Sequence, residues 1–165
     1  MRGIDALLAV MAQLRDPVAG CPWDREQDLR SLVPHTLEEA YEVADAIERD
    51  DPAAIPDELG DLLFQVVFYA EIGRETGRFD FDSIARGMTD KLVRRHPHVF
   101  AGRQETTASG QRATWEAIKA DERSARAAGE APPGALDDVP LALPALTRSR
   151  KLQSRAARVG FDWPE

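Results

Sequence analysis

The chain has 165 residues, of which 43% are hydrophobic and 30% charged, the balance of a folded domain in water and not of a disordered segment. That length supports one sizeable core but not two ordinary domains. Its 29 acidic residues outnumber 21 basic ones, and the net charge of −8 argues against a broad nucleic-acid-binding face. Cys21 is the only cysteine, which excludes an intrachain disulfide and a Cys-based zinc site and suits a reducing compartment. The longest apolar run, Leu62 to Ala70 with Gln65 inside it, is about half of what a membrane-spanning helix needs. Asp5 follows soon after Ile4, unlike the basic-then-apolar order of a signal peptide, so a cytoplasmic protein without membrane contact is expected.

The dominant period is helical. Ile4, Leu7, Leu8, Met11 and Leu14 recur at spacings of three and four and predict a first helix that ends before Asp16-Pro17. Residues 17–24 read as a loop, and a short helical turn is expected over 25–32. A second major helix is predicted from Thr36 to Arg49, stopped by Asp50-Asp51-Pro52, and a third from Asp57 to Glu75, ending at Gly77. A fourth, capped by Asp82 or Ser83, reaches Arg95 and stops at His96-Pro97. Residues 102–110 are polar, and 112–128 form a charged helix with Trp115 and Ile118. Ala131-Pro132-Pro133-Gly134 marks a linker, and Thr147 to Val159 a basic last helix. The expected class is all-α, a helical bundle, with a main helical domain over 1–130 and a linker plus basic helix over 131–165.

Helices two and three carry the chemistry. Glu39 and Glu42 lie three residues apart, as do Glu58 and Asp61, so each pair shares one helical face. The pairs are equidistant from the 49–52 turn, and an antiparallel hairpin sets all four carboxylates at one height, roughly 15 Å from it. Blander readings stay open for each residue. Thr36 and Glu39 match a capping box, Asp57 and Glu58 suit a helix's first turn, and Glu38, Glu42, Asp45 and Glu48 form a possible solvated stripe. Helix three as a whole weighs against them. Leu59, Leu62, Leu63, Phe64, Val66, Val67, Phe68, Tyr69 and Ile72 cover nearly its full circumference and predict burial. Glu58, Asp61 and Gln65 share an arc of about 60° within it. Unpaired carboxylates there, with two more opposite, repel one another unless a cation sits between them. An oxygen-only donor set suits Mg²⁺, with Mn²⁺ as a substitute.

Lys91, Arg94 and Arg95 form a compact positive patch at i, i+3 and i+4, and Trp115 and Lys119 are an i, i+4 pair. Two readings are open. The cations complement a helix C-terminus, or they hold phosphate oxygens while Trp115 contacts a base or ribose. Trp23, Asp24 and Gln27 lie in a loop that either touches a nucleobase or packs Trp23 into the core. His96 and His98 read as loop or packing residues. Arg148, Arg150, Lys151, Arg155 and Arg158 read as a solvated or partner-facing surface.

Glu39-Ala40-Tyr41-Glu42, fifteen intervening residues and then Glu58-Leu59-Gly60-Asp61 resemble the E-x-x-E…E-x-x-D signature of the MazG nucleoside triphosphate pyrophosphohydrolases. The resemblance extends to GCPWDREQ at 20–27, TLEEAYE at 36–42, DELGDLLFQVVF at 57–68, KLVRRHPHVF at 91–100, WEAIK at 115–119 and VGFDWP at 159–164. It implies the all-α NTP pyrophosphatase fold, assembled as a homodimer or higher homo-oligomer. It also implies Mg²⁺-dependent cleavage of nucleoside triphosphates to the monophosphate and pyrophosphate, with a role in cleaning nucleotide pools. By resemblance, Glu39, Glu42, Glu58 and Asp61 are the metal ligands and Glu38 supports them. Lys91, Arg94, Arg95, Trp115 and Lys119 match positions used for nucleotide binding or activity; Trp23 is a further candidate for substrate binding, from the reading of its loop and not from the resemblance.

Longer members of that family carry two such domains, and residues 160–164 resemble the stretch leading into the second. Because the first domain is a weak catalyst in some of them, the alternative is a catalytically quiet nucleotide-sensing or dimerisation domain. A dinuclear redox bundle is disfavoured, since the motifs lack a Glu-x-x-His ligand set.

Overall fold

A computed structural model of the protein describes residues 3–102, 107–126 and 134–162. Eight helices follow one another: α1 (Gly3–Leu14), α2 (Pro22–Glu26), α3 (Val33–Glu48), α4 (Ala54–Glu75), α5 (Phe81–Arg95), α6 (Pro97–Phe100), α7 (Ala108–Arg126) and α8 (Ala145–Arg158). Among the described residues there is no strand. Residues 103–106 of the expected polar segment, the last two residues of the 112–128 helix, Ala131-Pro132-Pro133 and the Trp163-Pro164 end of the final string lie outside the described residues. The chain divides into two compact units, Met1–Leu92 and Val93–Glu165.

The first unit is built on α1, α3 and α4. Met11, Leu32, Val67, Phe68 and Ile72 form its buried centre, flanked by Ile4, Leu7, Leu8, Leu14, Leu29, Phe64, Tyr69 and Phe81. The complete stripe read from α1 is thus used. Burial of side chains such as Phe68 and Met11 contributes about 1.5–3 kcal/mol each.

The α3–α4 turn is fixed by two aspartates. Asp50 takes a left-handed backbone, φ 52°. It closes α3 as the Asp50 N–H bonds to the Ile47 carbonyl and the Asp51 N–H to the Ala46 carbonyl. Asp51 Oδ1 then accepts the N–H groups of Ala53 and Ala54 and starts α4. Gly77, φ 64°, ends α4 in the same way, with the Arg78 N–H on the Gly73 carbonyl. Gly73 itself admits no side chain, because a Cβ there would run into the Phe79 ring and carbonyl as the chain folds back.

Several predicted boundaries move for local reasons. The short helix lies at 22–26 instead of 25–32, because Pro22 is placed at its first turn. Residues 28–31 form a separate turn in which Asp28 Oδ1 accepts the N–H groups of Arg30 and Ser31. Pro34 likewise starts α3 at Val33, ahead of Thr36. Asp80, and not Asp82 or Ser83, accepts at the start of α5: its carboxylate takes the Ser83 N–H while the Ser83 hydroxyl accepts the Asp80 N–H. The predicted encirclement of α4 also fails in the single chain. Its C-terminal half is buried, but Leu59, Leu63 and Val66 remain 48%, 41% and 36% exposed, because α1 and α3 cover only two of its sides.

In the second unit, Arg94 and Arg95 at the end of α5 reach Glu122 on α7. Arg158 on α8 reaches Glu116 on α7 at 2.6 Å, and Arg155 donates to the Asp137 carbonyl. The last helix is therefore not simply a solvated basic surface, since two of its arginines are used internally. The short α6 was not expected. Pro97 sits in its first turn and stops the helix before it only to begin another.

Candidate functional site

The α3–α4 hairpin brings three of the four predicted carboxylates together. Ligand oxygens of Glu39, Glu58 and Asp61 all lie within 4.8 Å of one another. Glu39 and Glu58 are half-buried and Asp61 is exposed, so the group opens to solvent at one side. Glu42 stands outside this closest trio, yet its charge acts on both Glu39 and Glu58. Glu38 is exposed, 3.9 Å from the His35 ring nitrogen, and adds its repulsion at Glu39.

The local structure removes the bland readings at Glu39 and Glu58, while Glu38, Glu42, Asp45 and Glu48 are all exposed, as a solvated stripe requires, and Asp57 does lie in the first turn of α4. Thr36 does not cap α3: it lies inside the helix, where its hydroxyl bonds to the Leu32 carbonyl and to the Tyr69 hydroxyl. Glu39 is thereby released from a capping box. The first turn of α4 is served by Asp51, which leaves Glu58 one turn further in.

The electrostatics are those of crowded acids. Desolvation, followed by the charges of Asp61 and Glu42, raises Glu39 above the usual carboxylate range. Desolvation and then Glu42 and Asp61 raise Glu58, with Arg49 acting weakly the other way. Arg49 is itself bound to Asp45 at 2.9 Å. A set of carboxylate oxygens within one cation's reach, held partly out of water, fits a hard divalent ion such as Mg²⁺ better than a soft metal.

The predicted substrate residues fall into different settings. Lys91 is half-buried in the first unit. In the second, one carboxylate holds both arginines: Arg94 and Arg95 each approach Glu122 to 2.5 Å, which draws Glu122 down to a pKa of about 2. Glu122 was not singled out from the sequence; a 28-residue separation from Arg94 gives no helical spacing to read. The Lys119 ammonium lies 4.7 Å from the Trp115 ring centroid, as the i, i+4 pairing predicts. It also bonds to Glu116 at 3.2 Å. His96 packs against Trp115 and His98, in line with a packing role.

Trp23 is half-exposed and meets His35 and Phe68 edge-on, at centroid distances of 5.9 and 6.4 Å. It is neither a core residue nor a free surface one. Trp23 lies in α2 and not in the expected loop, and Arg15, with 7% of its side chain exposed, secures this short helix. It donates to the Asp24 and Gln27 carbonyls, forks onto Glu75 at 2.8 and 2.7 Å and lies over the Phe68 ring. The sequence signalled Trp23 but not Arg15 or His35.

Residues 27–100, which contain the whole acidic hairpin, match the MazG nucleotide pyrophosphohydrolase domain. Over 163 residues the chain is 55% identical to the nucleoside triphosphate pyrophosphohydrolase of Escherichia coli K12, covering 99% of this chain and 60% of that protein. It is 39% identical over 161 residues to the nucleoside triphosphate pyrophosphohydrolase/pyrophosphatase MazG of Thermotoga maritima, covering 98% of this chain and 59% of that protein. The chain thus spans about 60% of the length of these curated relatives. The crystal structure of a MazG-related protein from Thermotoga maritima shares the fold, with a TM-score of 0.58 at 24% identity over 70% of this chain and 97% of that one. With the acidic hairpin inside the matched segment and the alignment with these relatives extending over nearly every residue, the likenesses support the MazG family for this chain.

Proposed function

We propose that this chain hydrolyses nucleoside triphosphates to the nucleoside monophosphate and pyrophosphate with the help of Mg²⁺. The observation that carries the reading is the convergence of Glu39, Glu58 and Asp61 within 4.8 Å. The names of the relatives support the same activity. Glu39, Glu42, Glu58 and Asp61 hold the cation, and Glu38 adds negative potential beside them. Mn²⁺ can substitute, since it accepts the same oxygen donors. When bound, the cation neutralises the triphosphate and stabilises charge on the leaving pyrophosphate.

The chain's own groups bind, orient and move a proton. Lys91, Arg94, Arg95 and Lys119 hold phosphate oxygens, while Trp115 and Trp23 offer aromatic faces to base or ribose. An oxygen of water bonds to the α-phosphorus as the α–β anhydride breaks, and a carboxylate of the acidic group takes the water's proton. The reading also makes the protein a homodimer or higher homo-oligomer that covers the exposed α4 stripe. It places the enzyme in the cytoplasm, where Cys21 stays a free thiol and the activity clears unwanted nucleotides.

Pyrophosphate release from a panel of nucleoside triphosphates, with and without Mg²⁺, tests the proposal. Glu42→Ala and Asp61→Ala should abolish the Mg²⁺-dependent release while helicity is retained. Full activity in both variants refutes it. Nucleotide binding without any release would favour a sensing or dimerisation domain instead.

A further inference from the structure

Gln65 is buried, 5% exposed, and its side-chain oxygen has no hydrogen-bond partner. Such an acceptor is costly to bury, and leucine or methionine would fill the same core position without that cost. Its place on α4 suggests what the amide is for. Gln65 follows Asp61 by four residues and Glu58 by seven, on the same arc of about 60°. Side chains on a helix lean toward its N-terminus, and the turn on that side of Gln65 is the one that holds Asp61.

The chemistry of the orphan matches one kind of ligand. Mg²⁺ gives up water reluctantly and keeps several hydration waters when proteins bind it. Those waters turn their hydrogens outward and need acceptors. Another carboxylate would serve but would crowd a further negative charge beside three carboxylates whose oxygens already lie within 4.8 Å of one another. A neutral amide oxygen accepts without adding charge.

We propose that Gln65 is a positioning residue whose side-chain oxygen accepts a hydrogen bond from a hydration water of the divalent cation held by Glu39, Glu58 and Asp61. The inference rests on the metal reading above. It extends the site one turn along α4, into the buried half of the helix, and gives the cation's water shell a fixed orientation.

The test uses the whole chain and Mg²⁺ alone, without nucleotide. Melting temperatures are recorded in EDTA and across a Mg²⁺ titration for the wild type, Gln65→Met and Gln65→Glu. Gln65→Met keeps the side chain's length and removes the acceptor, so it should melt no lower than wild type in EDTA. It should need about tenfold more Mg²⁺ to reach half of its shift, the usual loss when a group behind a metal ligand is removed. Gln65→Glu keeps an acceptor oxygen and should need no more Mg²⁺ than wild type, while melting lower in EDTA. A Gln65→Met midpoint within twofold of wild type overturns the proposal, as does a lower melting temperature in EDTA with an unchanged Mg²⁺ response, which marks a purely structural amide. If Gln65→Met does not fold, a Gln65→Glu midpoint above that of wild type overturns it equally. A wild type that ignores Mg²⁺ defeats the metal reading and Gln65's role together, whereas a normal wild-type response with unaltered variants defeats only the latter.

Discussion

The hydroxyl oxygens of Thr36 and Tyr69 lie 2.8 Å apart and join the first turn of α3 to the buried half of α4. Thr36 donates to the Leu32 carbonyl, which leaves its oxygen free to accept from Tyr69. The bond sets the register in which Glu39, one turn further along α3, meets Asp61. Tyr69→Phe should lower stability by about 1 kcal/mol, the usual worth of a partly buried neutral hydrogen bond. Chemical denaturation measures the loss, and an unchanged midpoint would show that the bond does not hold the hairpin.

Arg15 is the strut beneath α2, which carries Trp23. Arg15→Ala removes a fork on Glu75, two carbonyl contacts and a stacking partner for Phe68. We expect a loss of about 2 kcal/mol, with Glu75's exposure to solvent limiting the ion pair's share. Trp23 should become more exposed to fluorescence quenchers. Quenching equal to wild type would mean that α2 stands without Arg15.

Metal and pH should act in opposition at the hairpin. Glu39 and Glu58 titrate above their ordinary value of 4.5, so the fold binds their protons more tightly than the unfolded chain does. Metal-free stability therefore falls as pH rises through the window just above 4.5. Mg²⁺ competes with those protons and should stabilise more as pH rises. At ~100 times its dissociation constant the gain is roughly 2.7 kcal/mol. Melting in EDTA and in millimolar Mg²⁺ at several pH values checks this; a gap that shrinks with rising pH contradicts it.

Glu122 behaves the opposite way. Its folded pKa, drawn down from 4.5 to about 2 by Arg95 and Arg94, makes its contribution fully present above 4.5 and lost as pH falls toward 2. Glu122→Gln should flatten the acid limb of the stability curve between those values and loosen the hold on Arg94 and Arg95. Nuclear magnetic resonance titration of the carboxyl gives the direct check, and a midpoint near 4.5 would rule out the double arginine clamp in solution.

Leu59, Leu63 and Val66 form an exposed stripe on α4, separate from the arc of Glu58, Asp61 and Gln65. We expect this stripe to lie between two copies of the chain. Sedimentation equilibrium at micromolar concentration should give the mass of at least two chains, and Leu63→Lys should shift it to one. A monomeric wild type would leave the stripe without that role.

The helices, the hairpin and the pairing of acids were legible in the sequence because each follows from a local period. Three- and four-residue spacing marks an apolar stripe on α1. It also sets two carboxylates on one face of α3 and two on α4, and Asp50-Asp51-Pro52 breaks the chain midway between them. Tertiary structure alone decided which partners those faces meet. The Thr36–Tyr69 bond cancelled a capping box that spacing favoured, because Pro34 started α3 earlier. The same packing buried Gln65 without a partner while leaving Leu59 and Leu63 exposed on a helix that composition reads as wholly apolar. Glu122's hold on Arg94 and Arg95, and the Arg15 fork that ties Glu75 to α2, join residues far apart in the chain. No local period encodes such contacts; they exist only once the burial of apolar faces has chosen one arrangement of the helices.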